Sequence, residues 1–330
     1  MKMWCGEWCS EGTKDHNKEA HHRLCRVLQE AVGKWGKGGT DLSEPLKEAL
    51  KQTIFGYNSG ETDVKRLGEE LPNDYNDLER PLLSLRSLWC GQPRSEIQRR
   101  WPGHSAPHDL VCLCTAGKTG WPINETSHGA TLCGKDSDSL GSSGNNGWDS
   151  SGKGKVKDQI EKTWEKVVKD CLQSVGQGNR LRETLDTFIA ELNRTTSEGY
   201  GDLSRLGDGS FHSYHGCDGT PQLGVCALYY RDYKDTIPWW LQLENALEED
   251  KKIQEKKKLE EEEKQRKQQE KANKQKEPRA EPVKSTQPIT QDTAKNESDT
   301  LSEKLRKLNL TSGTPICPPS SWLLSAVFLF

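Results

Sequence analysis

The residues best suited to chemistry lie in one short run: His104, His108, Cys112 and Cys114, spaced four, four and two apart. Two imidazoles and two thiolates form a donor set for tetrahedral zinc. The spacing speaks against that use. Cys-x-Cys is not the usual zinc-knuckle spacing, and oxidising surroundings consume such thiols as disulfides. The same residues therefore read as disulfide cysteines beside surface histidines. Cys217 with His212 and His215 has the types of a thiol nucleophile and its base, but no partner signature supports the pair and the histidines read as loop residues. Gly117-Lys118-Thr119 resembles the end of a phosphate-binding loop. Position 112, where that loop needs its first glycine, is a cysteine, so the backbone cradle is missing. Nothing resembles a paired-carboxylate site or a serine nucleophile. The expectation is no catalytic, metal or cofactor site.

The elements that would position these residues follow from periodicity. From His16 to Trp35 the apolar residues Ala20, Leu24, Val27, Leu28, Ala31 and Trp35 recur at three and four, predicting a one-faced helix stopped by Gly36, Gly38 and Gly39. Asp41 or Ser43 can cap a second helix with Pro45 in its first turn and Leu42, Leu46, Leu50 and Ile54 as its stripe. Residues 56–155 are rich in turn formers and read as loops and short elements stapled by Cys90, Cys112, Cys114 and Cys133, with Cys25 as a partner for one of them. Val156, Ile160, Trp164, Val167, Cys171 and Val175 form a near-heptad seam that resumes after Gly176 and Gly178 with Leu181, Leu185, Phe188 and Leu192. The seam fits a bundle or coiled coil and equally the core helix of a globular domain, and in either case it needs a partner helix. Residues 198–236 read as loops, with Cys217 and Cys226 close enough in sequence to pair. Ile237-Pro-Trp-Trp240 with Leu241, Leu243 and Leu247 closes the apolar part.

Beyond that point the chain changes character. Residues 248–308 contain neither aromatic nor cysteine, so a packed core must lie within 14–247. Acidic and basic side chains alternate through 248–281, with Glu260/Lys264, Glu262/Arg266, Glu263/Lys267 and Glu270/Lys274 at helical spacing; this reads as a solvated helix or a disordered stretch. The balanced charge there, and a net charge of −3 overall, give no footprint for nucleic acid. The end of the chain is different again. Asn309 to Phe330 carries no charge, places the small residues Ser312, Gly313 and Thr314 before a short spacer, and finishes in the apolar run Trp322 to Phe330. That order is the pattern of a glycolipid-attachment signal, and the run is too short to span a bilayer core, which takes about 20 helical residues.

Eleven cysteines point to an oxidising compartment. Removing Cys317 with the tail leaves an even number, and setting aside Cys5 and Cys9 leaves Cys25, Cys90, Cys112, Cys114, Cys133, Cys171, Cys217 and Cys226 as disulfide candidates. Asn124, Asn193, Asn296 and Asn309 each begin an N-glycosylation sequon. Residues 1–13 lack the apolar run of a secretory signal and read as an atypical leader remnant. Export then requires a different start to the gene; otherwise this copy is defective, or the tail reading is wrong.

A family pattern runs through the apolar part. His16-Asn-Lys-Glu-Ala with Leu24-Cys25 and Trp35, Leu46-Lys-Glu-Ala-Leu50 with Ile54-Phe-Gly56, Leu71-Pro72, Trp89-Cys-Gly-Gln-Pro93, Cys112-Leu-Cys114, Leu132-Cys-Gly134, Trp164 to Cys171, and Ile237-Pro-Trp-Trp240 resemble trypanosome variant surface glycoproteins with the B-type N-terminal domain. The resemblance covers about residues 14–247 and 309–330. It implies a mainly α, elongated head built on a long antiparallel helical hairpin or coiled coil with disulfide-stapled loops, followed by a charged helical or disordered stalk. The layout is then a leader remnant (1–13), a helical ectodomain (14–247), a stalk (248–308) and an anchor signal (309–330), with Ser312, or Gly313, bearing the lipid. It further implies a homodimer on the outer face of the plasma membrane, held by a glycolipid, exposed to host antibodies and antigenically variable. The chain departs from the family in having no cysteine between 226 and 317, and so no compact cysteine-rich C-terminal domain. A related receptor for a host ligand, a secreted hydrolase with a histidine/cysteine metal site, and a non-expressed gene copy are the alternative readings.

Overall fold

The computed structural model describes residues 14–125, 129–151, 156–212, 215–233 and 237–275. The chain divides into two units, Met1–Gln269 and Glu270–Phe330. Helices dominate the first. They are α1 (Lys18–Trp35), α2 (Glu44–Phe55), α3 (Val64–Glu69), α4 (Arg86–Cys90), α5 (Ala106–Cys114), α6 (Val156–Thr163), a π-helical segment (Trp164–Val168), α7 (Lys169–Gln173), α8 (Leu181–Glu191) and α9 (Trp239–Gln275). A mainly α fold is therefore what the chain adopts.

The stripe of α1 is buried throughout, from Ala20 to Trp35, and the stripe of α2 is buried at Leu46, Leu50 and Ile54. Ser43 occupies the N-cap of α2 but its hydroxyl makes no capping bond, so the start of this helix rests on Pro45 and on packing. The predicted seam over 156–192 is divided among α6, the π segment, α7 and α8. Val156, Ile160, Trp164, Val167 and Cys171 are buried, whereas Val175 is 61% exposed. The reason is local: α7 ends at Gln173 and Ser174 turns out of helical geometry, which takes Val175 off the seam.

Helix α1 is the partner the seam required. It packs on both α7 and α8. Arg23 pairs with Glu191 at 3.1 Å and Glu30 accepts from the Arg180 backbone N–H at 3.2 Å, so α8 runs antiparallel to α1. Cys25 bonds to Cys171, and the Gly176 N–H donates to Gln29 O. The two glycines of the 174–180 turn do more than break a helix. A Cβ on Gly33 would come within 2.1 Å of Gly176 O, and a Cβ on Gly178 within 2.5 Å of Lys34 N. Backbone meets backbone there, which only glycine permits.

Residues 198–236, expected to be loops, form sheet instead. Asp15–His16 (β1) pairs in parallel with Thr131–Leu132 (β2). Asn193–Ser197 (β3), Gly201–Gly209 (β4) and Gly224–Tyr230 (β7) make an antiparallel sheet in the order β3-β4-β7, and Phe211–His212 (β5) pairs with His215–Gly216 (β6). Every residue of β7 is buried. Its run Val225-Cys-Ala-Leu-Tyr-Tyr230 is continuous in apolar and aromatic residues, the pattern of a strand covered on both faces. Helix α9 starts in the core with Trp239, Trp240, Leu243 and Ala246, and its charged continuation is exposed, as its side-chain pattern foretold. Among the described residues no helix is long and apolar enough to cross a membrane.

Candidate functional site

Cys112 and Cys114 lie on helix α5. Two residues along a helix turn the direction by about 200°, so the thiols diverge and each meets a different neighbour. Cys112 is bonded to Cys90 and Cys114 to Cys133. Ser105 caps the helix by accepting from the His108 N–H at 3.3 Å, and Pro107 sits in the first turn.

The two histidines of the run are not at the surface. His108 is fully buried, with Nδ1 2.8 Å from the Tyr75 hydroxyl and Nε2 2.9 Å from Trp89 O. Both ring nitrogens are committed, and burial pushes its pKa down to about 3. The imidazole is a neutral connector in the core. His104 is buried against Gly56 and edge-on to Trp101, and burial with the nearby Arg100 guanidinium keeps it neutral as well. The structure thus replaces the zinc arrangement with two disulfides and two core imidazoles.

The other candidates resolve similarly. Cys217 is bonded to Cys226, which removes the thiol, and His212 and His215 face one another across the β5–β6 pair. Gly117 is needed for packing, since a Cβ there would lie 2.1 Å from Gly219 O, and the Lys118 N–H is spent on that same carbonyl. Cys25, expected to pair within 56–155, pairs with Cys171. His21 lies 3.8 Å from the Cys171 sulfur, giving His21, Cys25 and Cys171 the spacing of a metal triad. The thiols are bonded to each other, and burial drives His21 down to about 4. No thiolate is present there to hold an ion. Asn124 is exposed, its amide donating to Thr119 O at 2.6 Å, and Asn193 is exposed at the start of the edge strand β3. Asn296, Asn309, Ser312, Gly313, Cys5, Cys9 and Cys317 lie outside the described residues.

What the sequence did not point to is a set of buried polar anchors. Asn17 opens α1 with left-handed backbone, φ 56°; its amide donates to Leu113 O and Val225 O and accepts from the Asp208 N–H. One side chain thereby ties α1 to α5, β4 and β7. Arg86 is fully buried. It donates to Thr115 O at 2.8 Å and to Trp148 O at 3.3 Å, and its guanidinium lies over the Trp148 ring. A cation at the C-terminal carbonyls of α5 also meets the negative end of that helix. Asp109 is fully buried and accepts from the Gly103 N–H, the Tyr229 hydroxyl and the Trp239 indole N–H. These three donors come from the loop before α5, from β7 and from α9. None of the three anchors opens on a reactive group, and the arrangement serves to fix elements together.

The described residues thus combine a mainly helical fold, a buried polar frame, four disulfides and two exposed sequons. The family model for the trypanosomal VSG domain matches residues 8–269. The chain belongs to that family. No curated protein matches it. Membership of the variant surface glycoprotein domain family makes it a trypanosome surface-coat protein, and the match extends along the charged helix α9 as well as the head. The buried polar anchors of this VSG domain then read as the internal frame of a coat molecule.

Proposed function

We propose that the protein is a glycolipid-anchored, antigenically variable coat glycoprotein that shields the cell surface from host antibodies. The observation that carries this reading is the family match across residues 8–269. In this reading the protein is no enzyme and uses no cofactor; it acts as a barrier and an antigen. Residues 14–247 form the ectodomain, 248–308 the stalk and 309–330 the attachment signal, with Ser312 or its neighbour Gly313 joined to the lipid. Two chains associate as a homodimer. A dimer carrying two diacyl anchors stays attached where a single acyl chain would exchange. Asn124 and Asn193, both exposed, are the ectodomain glycan positions, and Asn296 and Asn309 are candidates in the stalk and tail.

The test is surface labelling of cells expressing the chain, before and after treatment with phosphatidylinositol-specific phospholipase C. Release of labelled protein into the medium is the expected result. Labelled protein that stays on the cell after treatment overturns the anchor.

A further inference from the structure

We propose that an open cavity of about 500 Å³, between the end of α2 and the loop carrying Arg94 to Trp101, binds a small organic oxyanion. The volume lies within the range of small-molecule sites, which runs from about 300 to 1,000 Å³, and leaves room for more than an inorganic ion. Its charge arrangement is uneven in a specific way. Three of its arginines are matched by carboxylates: Arg66 lies 3.4 Å from Glu61, Arg99 3.1 Å from Asp77 and Arg100 3.3 Å from Asp74. Arg94 is not. Among the described residues it makes no ion pair and no hydrogen bond. Its guanidinium instead stacks over Trp101 at 4.7 Å and Tyr57 at 5.5 Å.

Contact with the two rings leaves the guanidinium N–H groups unspent, and a guanidinium takes a carboxylate or phosphate through two parallel bonds. Trp101 is 3% exposed, so its ring is a fixed platform for the Arg94 guanidinium. His104, which also lines the cavity, is held neutral, and the lining carboxylates Glu61, Glu70 and Asp74 lie beside Arg66 and Arg100. A cationic ligand would meet the unmatched charge of Arg94 and a purely apolar one would leave its N–H groups unpaired. The chemistry shared by organic carboxylates and phosphate monoesters is what the site fits.

The experiment is calorimetric titration of the intact protein with citrate, with glycerol 3-phosphate and with glycerol as the uncharged control. Saturable binding of either anion and none of glycerol is expected, and the tighter of the two assigns the ligand to the carboxylate or the phosphate class. Arg94→Gln should weaken that binding about tenfold, the loss of one charged hydrogen-bonding group. Arg94→Lys, which keeps the charge but not the fork, should fall between, and Trp101→Phe, which leaves the guanidinium a smaller platform, should weaken binding several-fold. Should Arg94→Gln fail to fold by circular dichroism, the last two variants carry the test. Lys118→Gln, an exposed charge elsewhere, should bind like the parent. Failure of both anions to saturate, unchanged affinity in a folded Arg94 variant, or an equal loss in Lys118→Gln overturns the site.

Discussion

Asp109 is buried with three donors pointed at it, and its position among elements from three parts of the chain makes it a sensitive point. Burial pushes the carboxyl up to about 7, against the pull of those donated bonds. In the unfolded chain it releases its proton near the ordinary carboxylate value. Between about pH 4 and pH 7 the folded state therefore binds more protons, so this group's contribution to stability is full below that window and is lost as pH rises through 7. Asp109→Asn should flatten the part of the stability profile that falls across the window, measured by urea unfolding at a series of pH values. Asp109→Ala should cost about 3 kcal/mol, because it leaves the Tyr229 hydroxyl and Trp239 indole N–H buried without an acceptor. A loss below about 1 kcal/mol would show that those donors find other partners.

Among the elements, the close crossing of α1 with the 174–180 turn has the least tolerance. Gly33→Ala places a methyl group where Gly176 O already sits, and backbone cannot rotate aside as a side chain would. The expected loss is about 2–3 kcal/mol by chemical unfolding, the upper part of the range for overpacking. This crossing also marks how far the sequence could be read. The apolar stripes of α1, α2 and α8 announced themselves because each helix has one wet face, and periodicity survives where burial is one-sided. Helix α5 and strand β7 are buried on all sides, so their sequences show no alternation to read. His104 and His108 are expected at the surface for the same cause: nothing in their spacing reveals that Tyr75 and Trp89 supply partners to His108, or that Gly56 makes room for His104. The pairing of Cys25 with Cys171 was equally hidden, since it depends on α1 lying along α7.

At the scale of the whole molecule, the four disulfides among the described residues differ widely in span. Cys25–Cys171 closes a separation of 146 residues and Cys217–Cys226 one of 9. On the chain-entropy account the first removes far more freedom from the unfolded chain, about 4–5 kcal/mol against about 2–3. Replacing Cys25 and Cys171 by alanine should therefore lower stability by about 2 kcal/mol more than replacing Cys217 and Cys226, compared by urea unfolding without reductant. Equal losses would mean that residual structure in the unfolded chain already holds α1 near α7.

The same long bridge has a consequence for damage. The Cys90–Cys112 and Cys114–Cys133 rings are nested inside it, and the exposed turn at Gly144 and Asn145 lies within the large ring but outside both small ones. A protease that severs the chain at that turn frees no fragment. The two pieces stay covalently joined through Cys25 and Cys171, so a nicked molecule keeps its place and its mass until a reductant reaches it.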